Sequence, residues 1–308
     1  VGEVSLAGWK RKVLSVLALL ISLGYLYRHT DLEELELAMK TASPEYLLLA
    51  FCLSLLTVLL SVLRWHIFLR EVQETPFKKT LRAFLSGYYL MTILPPSVGH
   101  ATKVKLVGGD YFKALSALAI GITTEVVVLL SMAFVFVGFT KLGLVVLVLV
   151  LLSLIWEEGL YRVLDSLLAF WGNSGLKGLT TLLRSYLKRG YTGWKRAKEN
   201  RKAFFLSFLL SLAVILLQVF GIVAVGRAFG LEVSLGRALY GFIMSVLFAS
   251  LAGIPSGFGA NEMGIVVGIG ASTKATLTAF TYKFIFQYVY SIVGAVAFYR
   301  SVGGGAGK

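Results

Sequence analysis

Arg64, Lys103, Glu125, Glu262 and Lys283 are charged side chains set in stretches otherwise rich in Leu, Val, Ile, Ala and Phe. A charge at the depth of hydrocarbon is costly, so such groups pair with one another, line a wet cavity or handle a charged cargo. Two short segments gather more polar chemistry. Leu94-Pro95-Pro96-Ser97-Val98-Gly99-His100-Ala101-Thr102-Lys103 and Ile254-Pro255-Ser256-Gly257-Phe258-Gly259-Ala260-Asn261-Glu262 each break an apolar stretch with Pro and Gly, then set polar and charged residues where lipid would be expected. Interrupted helices are tolerated at membrane depth only where the freed backbone groups face protein or water, so a duplicated interruption points to a transport site.

Catalytic sets are missing from the sequence. It has no Asp-x-x-Asp pair, no His-Glu-x-x-His and no Cys/His cluster. Ser97 near His100, or Ser256 in Pro-Ser-Gly, could be imagined as a nucleophile, but a Ser beside Pro and Gly is most often a turn residue. No catalytic residue, metal ligand or cofactor is therefore expected. The single Cys, Cys52, excludes an intrachain disulfide and reads as a small core hydrophobe.

The elements that position these residues follow from composition. Hydrophobic residues make up 57% of 308 and charged residues 15%, with a mean hydropathy of +0.81. That is an all-α, polytopic membrane protein. The net charge of +14 fits cytoplasmic loops facing anionic headgroups better than nucleic acid. A first span at residues 13–27 follows Lys10, Arg11 and Lys12, which places its N-terminus inside; no small-residue cleavage pattern follows Tyr27, so it reads as an anchor. Ser43-Pro44-Glu45 is a helix start for a second span ending near residue 63. Residues 83–94 are too short to cross a core of about 30 Å and read as the first arm of a re-entrant hairpin.

Further spans are expected at 114–138, 142–156, 203–225 and 275–299, with a second hairpin over 239–270. Residues 157–202 form a basic cytoplasmic loop whose apolar positions recur at helical spacing, which suggests amphipathic helices on the inner leaflet. The Gly-rich tail, residues 303–308, reads as flexible or foreign to the fold. About six spans and two hairpins result, in one transmembrane domain over residues 1–308, with both termini cytoplasmic. The repeats run from about 44 to 140 and from about 203 to 300. Arg64 falls opposite Gln218, Arg82 opposite Arg237, Pro95 with Gly99 opposite Pro255 with Gly259, and Lys113 opposite Lys274. The intervening crossings make the second copy inverted, a transporter signature.

Arg64-Trp65 closing a span, the Pro-x-x-x-Gly segment followed by Lys103, and above all Pro255-Ser256-Gly257-Phe258-Gly259-Ala260-Asn261-Glu262 resemble the lysylphosphatidylglycerol synthase transmembrane-region family, flippase-like membrane proteins of bacteria and archaea. The resemblance covers nearly the whole chain. Family members usually show Gly-Glu and then Arg in the first hairpin, where this chain has Gly99-His100 and Lys103; the cation is kept and a carboxylate is lost. The soluble aminoacyl-transferase domain of the name-giving enzymes is not within this sequence. The resemblance therefore implies translocation of a lipid between leaflets of the cell membrane rather than lipid aminoacylation.

Physical chemistry supports that class without singling it out. A flipped lipid drags a polar headgroup through hydrocarbon, and Arg82, Lys103, Lys105 and Lys283 could supply a cationic lining, paired with Glu125 and Glu262 when empty. Backbone N–H groups at the two breaks would favour an anion. The expected binding set is Arg64, Arg82, Pro95, Gly99, His100, Lys103, Lys105, Glu125, Gln218, Pro255, Ser256, Gly257, Gly259, Asn261, Glu262, Lys283 and Gln287, with an anionic phospholipid or polyprenyl phosphate lipid as partner and a homo-oligomer left open. Plainer readings stand beside it. Arg64, Trp65 and His66 sit where an interfacial anchor is usual, Lys103 and Lys105 could snorkel, and Glu262 could only cap a turn. A small-anion or solute transporter and an intramembrane lipid-modifying enzyme are the alternatives.

Overall fold

Pro44 has the fixed φ that suits a first helical position, and the apolar run behind it continues as one helix to Val72, a full two turns beyond the expected end. The computed structural model describes residues 2–94, 96–137, 157–172 and 177–303, and the regular structure within them is helical. In chain order the elements are α1 (Gly2–Arg28), α2 (Leu32–Lys40), α3 (Pro44–Val72), α4 (Phe77–Ile93), α5 (Pro96–Val107), α6 (Tyr111–Val137), α7 (Glu157–Gly172), α8 (Lys177–Glu199), α9 (Arg201–Ala228), α10 (Leu235–Ala252), a 3-10 turn (Pro255–Gly257), α11 (Ala260–Ile269), α12 (Thr273–Lys283), a π turn (Phe284–Tyr288) and α13 (Val289–Gly303).

Among the described residues, α3, α9, α10 and the Tyr111–Ala133 part of α6 are long and apolar enough to cross a bilayer. Val13–Arg28 with Leu32–Lys40 makes a fifth if the pair, bent by 76°, is one span. The chain is an all-α polytopic membrane protein. The span expected at residues 142–156, Pro95 and the tail beyond Gly303 lie outside the described residues. Residues 275–299, expected as the last crossing, are helical through α12, the π turn and α13 in series.

The chain divides into two compact units built from interleaved segments. The first comprises Val1–Leu59, Arg82–Lys103 and Val214–Lys308. Within it, both interrupted segments fold back on themselves. A Cβ placed on Gly99 would lie 2.4 Å from Cγ of Met91, and one on Gly87 would lie 2.8 Å from Cδ of Lys103, so α4 and α5 run side by side. In the second segment, added Cβ atoms on Gly264 and Gly268 would lie 2.4 Å from the Ser245 nitrogen and 2.2 Å from Cα of Gly241. Small residues let helices close backbone to backbone where lipid provides no hydrophobic drive. The same device seats α13 on α4, where a Cβ on Gly294 would lie 2.0 Å from the Leu85 carbonyl. From the other side α1 braces the second break: Ser15 donates to the Ala252 carbonyl at 2.9 Å, and Leu19 packs with Ala252, Ile254 and Ala260.

The second unit comprises Leu60–Leu81 and Val104–Ala213. Here α8 lies along α6. Gly193 approaches Cα of Lys113, 3.0 Å from an added Cβ, the Ser116 hydroxyl donates to the Gly190 carbonyl at 2.7 Å, and Phe112 stacks on Tyr186 with centroids 4.3 Å apart. Helices α7 and α8 are joined by the Asp165–Arg184 ion pair and by Tyr161 stacked on Tyr191.

Two expectations need correction. Cys52 is exposed rather than buried in a core, because in a membrane protein the lipid-facing surface is as apolar as the interior. Trp65 and Arg64 are 2% and 7% exposed, so they are packed inside protein and do not form an interfacial anchor. Helix α5 begins at Pro96, and Gly99 within it allows the close approach to Met91.

Candidate functional site

The second break is built by backbone conformations that few residues accept. Gly253 ends α10 in the left-handed region, with φ 61° and ψ 20°, and Gly259 precedes α11 with φ 80°; a side chain at either position would be strained. Between them Ser256 has φ 56° and ψ −3°, which makes it the one positive-φ residue other than glycine among the described residues. Such strain costs on the order of 1–3 kcal/mol and persists only when the surroundings hold it. Asn261 supplies that hold, donating from Nδ2 to the Ser256 carbonyl at 2.7 Å while its Oδ1 accepts from the Ser245 hydroxyl at 2.8 Å.

Beside this break Glu262 is fully buried. Its Oε1 accepts from the Tyr288 hydroxyl at 3.2 Å, and the backbone N–H groups of Gly259 and Glu262 also face the carboxylate. Oε2, however, is buried with no partner among the described residues. Lys283, 8% exposed, donates to Oε1 of Gln287 and faces Glu262 electrostatically. Gln287 reaches the Ser256 carbonyl from Nε2 at 3.5 Å, a long contact. A π turn at Phe284–Tyr288 lies across this stretch, and such irregular turns are frequent at functional sites.

One helical turn onward the same helix meets the first break. Ser291 shares a 2.7 Å hydrogen bond with Thr92, near the end of α4, and also approaches the Tyr88 carbonyl. Tyr290 bonds Ser54 at 2.7 Å. Four residues of helix rise about 6 Å, so the contacts to the two breaks, through Gln287 and Ser291, are spaced by about that distance. In the first hairpin Lys103 is 3% exposed and sits over the Phe84 ring, 4.7 Å from its centroid; it does not snorkel. The Nδ1 of His100 is buried without a partner among the described residues.

The structure thus brings Pro255, Ser256, Gly257, Gly259, Asn261, Glu262, Lys283 and Gln287 together, and places Gly99, His100 and Lys103 on the first hairpin of the same unit. Arg82 is exposed and has no hydrogen bond to the cluster among the described residues, and Lys105, also exposed, falls in the second unit. Gln218 is half-buried on α9 with no hydrogen bond to the cluster. Arg64 and Glu125 belong to the second unit, where they form their own site. Arg64 donates from Nη2 to Glu125 at 2.5 Å and from Nη1 to Ser211 at 3.0 Å; Thr124 joins Ser207 and Ser211. Glu125 therefore pairs with Arg64 and not with the lysines expected from the sequence. Tyr88, Thr92, Ser245, Tyr288 and Ser291 were missed. For Ser291 a signal existed, because 283, 287 and 291 form a polar stripe at four-residue spacing on one helix face.

A chain that is helical throughout its described residues, with two folded-back, Pro/Gly-broken segments and charged groups buried within it, is of the multi-pass membrane class. The model of the lysylphosphatidylglycerol synthase transmembrane region matches residues 12–294, and the chain belongs to that family. Comparison with curated proteins gave no match.

Proposed function

We propose that the protein is a lipid translocase that moves a lipid with an anionic, phosphate-bearing headgroup between leaflets, through a polar site formed where two re-entrant hairpins of an inverted repeat approach one another. The observation that carries this reading is the convergence of the two breaks on one helix, at Gln287 and Ser291. A headgroup crossing hydrocarbon must exchange its water for fixed polar groups while its tails remain in lipid. The strained Ser256 turn, the carboxylate of Glu262 and the cations Lys283 and Lys103 are polar groups of that kind. Family membership supports a lipid-related role in the membrane. On this reading both termini are cytoplasmic, the basic segment meets the inner leaflet, and the anionic lipid is a phospholipid or a polyprenyl phosphate.

The test is reconstitution. Purified protein in liposomes should expose a fluorescent acidic lipid of the inner leaflet to a membrane-impermeant quencher, and Glu262→Gln and Lys103→Ala should each slow that exposure at least about tenfold, as removal of a buried charge worth about 1.4 kcal/mol or more requires. Equal rates in protein-free vesicles would overturn the proposal. Uptake of inorganic phosphate into the same vesicles, with no movement of the labelled lipid, would establish the small-anion alternative.

A further inference from the structure

Helices α7 and α8 enclose, against α6, an apolar cleft of about 370 Å3, within the size range of small-ligand pockets. Phe112, Leu115 and Ala119 of α6, Leu164 of α7, and Leu187 and Trp194 of α8 line it. The Trp194 indole forms part of its wall.

The surroundings are strongly basic. Helix α8 carries seven basic residues against one acidic residue. Arg184 is satisfied by Asp165, and Lys188 lies in the field of the same carboxylate. Lys113, Arg189 and Lys195, each next in sequence or two residues from a cleft-lining position, form no ion pair within the described residues. An apolar slot with spare cations beside it is complementary to one chemistry: an acyl chain joined to an anionic headgroup.

We propose that this cleft binds one anionic glycerophospholipid of the leaflet on which α7 and α8 lie. An acyl chain fills the slot against the Trp194 ring, and Arg189 and Lys195 meet the phosphate. The site lies wholly in the second unit, whereas Glu262 and Lys283 belong to the first, and it needs no movement of lipid across the bilayer. Its occupancy and the translocation reading therefore stand or fall separately.

Binding can be read on the full chain in nanodiscs and by native mass spectrometry. Phosphatidylglycerol should remain bound in preference to phosphatidylcholine, and Ala119→Phe, which fills the slot, should remove one copy. Phosphatidylglycerol brominated along its acyl chain should quench a share of the tryptophan emission that is absent in Trp194→Phe. The surface pair Arg189→Gln with Lys195→Gln should lower the preference for the anionic lipid about fivefold per cation while leaving the fold intact, and it decides the matter if Ala119→Phe does not fold. Equal retention of the two lipids by the wild-type protein would overturn the proposal, and so would quenching that Trp194→Phe leaves unchanged.

Discussion

The hydroxyls of Thr92 and Ser291, 199 residues apart in sequence, meet at 2.7 Å. Thr92 lies two residues before the break that ends α4, and Ser291 also donates to the Gln287 carbonyl one turn back at 3.1 Å. The end of the first hairpin is thereby tied to the helix that carries Lys283 and Gln287. A hydrogen bond between membrane helices contributes only about 0.6 kcal/mol on average. The cycle Thr92→Val, Ser291→Ala and the double variant should give a coupling energy of that order in thermal unfolding in detergent. A coupling indistinguishable from zero would mean that the two hydroxyls do not act as a pair.

The arms of the second hairpin touch through glycine. Gly268→Ala would place a methyl 2.2 Å from Cα of Gly241, backbone that cannot turn aside, and overpacking of this kind costs about 1–3 kcal/mol. Gly236→Ala, on the same hairpin, meets nothing within 4 Å and should hold or raise stability by about 0.5–1 kcal/mol through helix propensity. The two variants should therefore move the unfolding temperature in opposite directions, and a similar fall in both would point to general intolerance of substitution.

On the exposed faces of α7 and α8, Arg184 holds the Asp165 carboxyl below its ordinary pKa through a bidentate hydrogen bond, from Nε at 2.7 Å and Nη2 at 2.6 Å. A folded-state pKa below the unfolded value means that the pair's contribution is complete above the ordinary carboxylate pKa of 3.8 and is lost as pH falls through the lowered value. Between neutral pH and pH 5 it should be constant. NMR titration of Asp165 should show the depressed midpoint, and Arg184→Gln should return it toward 3.8. High salt should weaken the effect, as for any exposed pair.

The start of α3 and the two breaks were legible in the sequence because Pro and Gly act locally, on their own φ and on their own missing hydrogen bond. The amphipathic helices α7 and α8 were legible from their periodicity. What the sequence hid were partners distant along the chain. Arg64 meets Glu125 and Ser211 across 61 and 147 residues, and no spacing rule within one helix reports that. Tyr88, Thr92 and Tyr288 were passed over because a hydroxyl in an apolar run satisfies itself on its own helix as readily as on another, as Thr92 does in part with the Tyr88 carbonyl. Exposure at Cys52 was illegible for a simpler reason: hydropathy does not separate a face turned to lipid from a face turned to protein.

Arg64 and Glu125 give the sharpest test of how the second unit holds its charges. The guanidinium is 8% exposed and the carboxylate 32%, so the arginine depends on its partner more than the glutamate does. Removing one member of a buried pair costs about 3–5 kcal/mol because the other charge is left behind, whereas replacing both with apolar residues of similar volume is close to neutral. Glu125→Leu should therefore destabilise toward the lower end of that range, since water reaches the carboxylate and Ser211 still accepts one arginine hydrogen bond. Arg64→Met should cost less, because a partly exposed glutamate can recruit water or a proton. The double variant Arg64→Met with Glu125→Leu should recover most of the loss in detergent unfolding. Additive losses in the double variant would show that the two side chains are held by separate surroundings and not by each other.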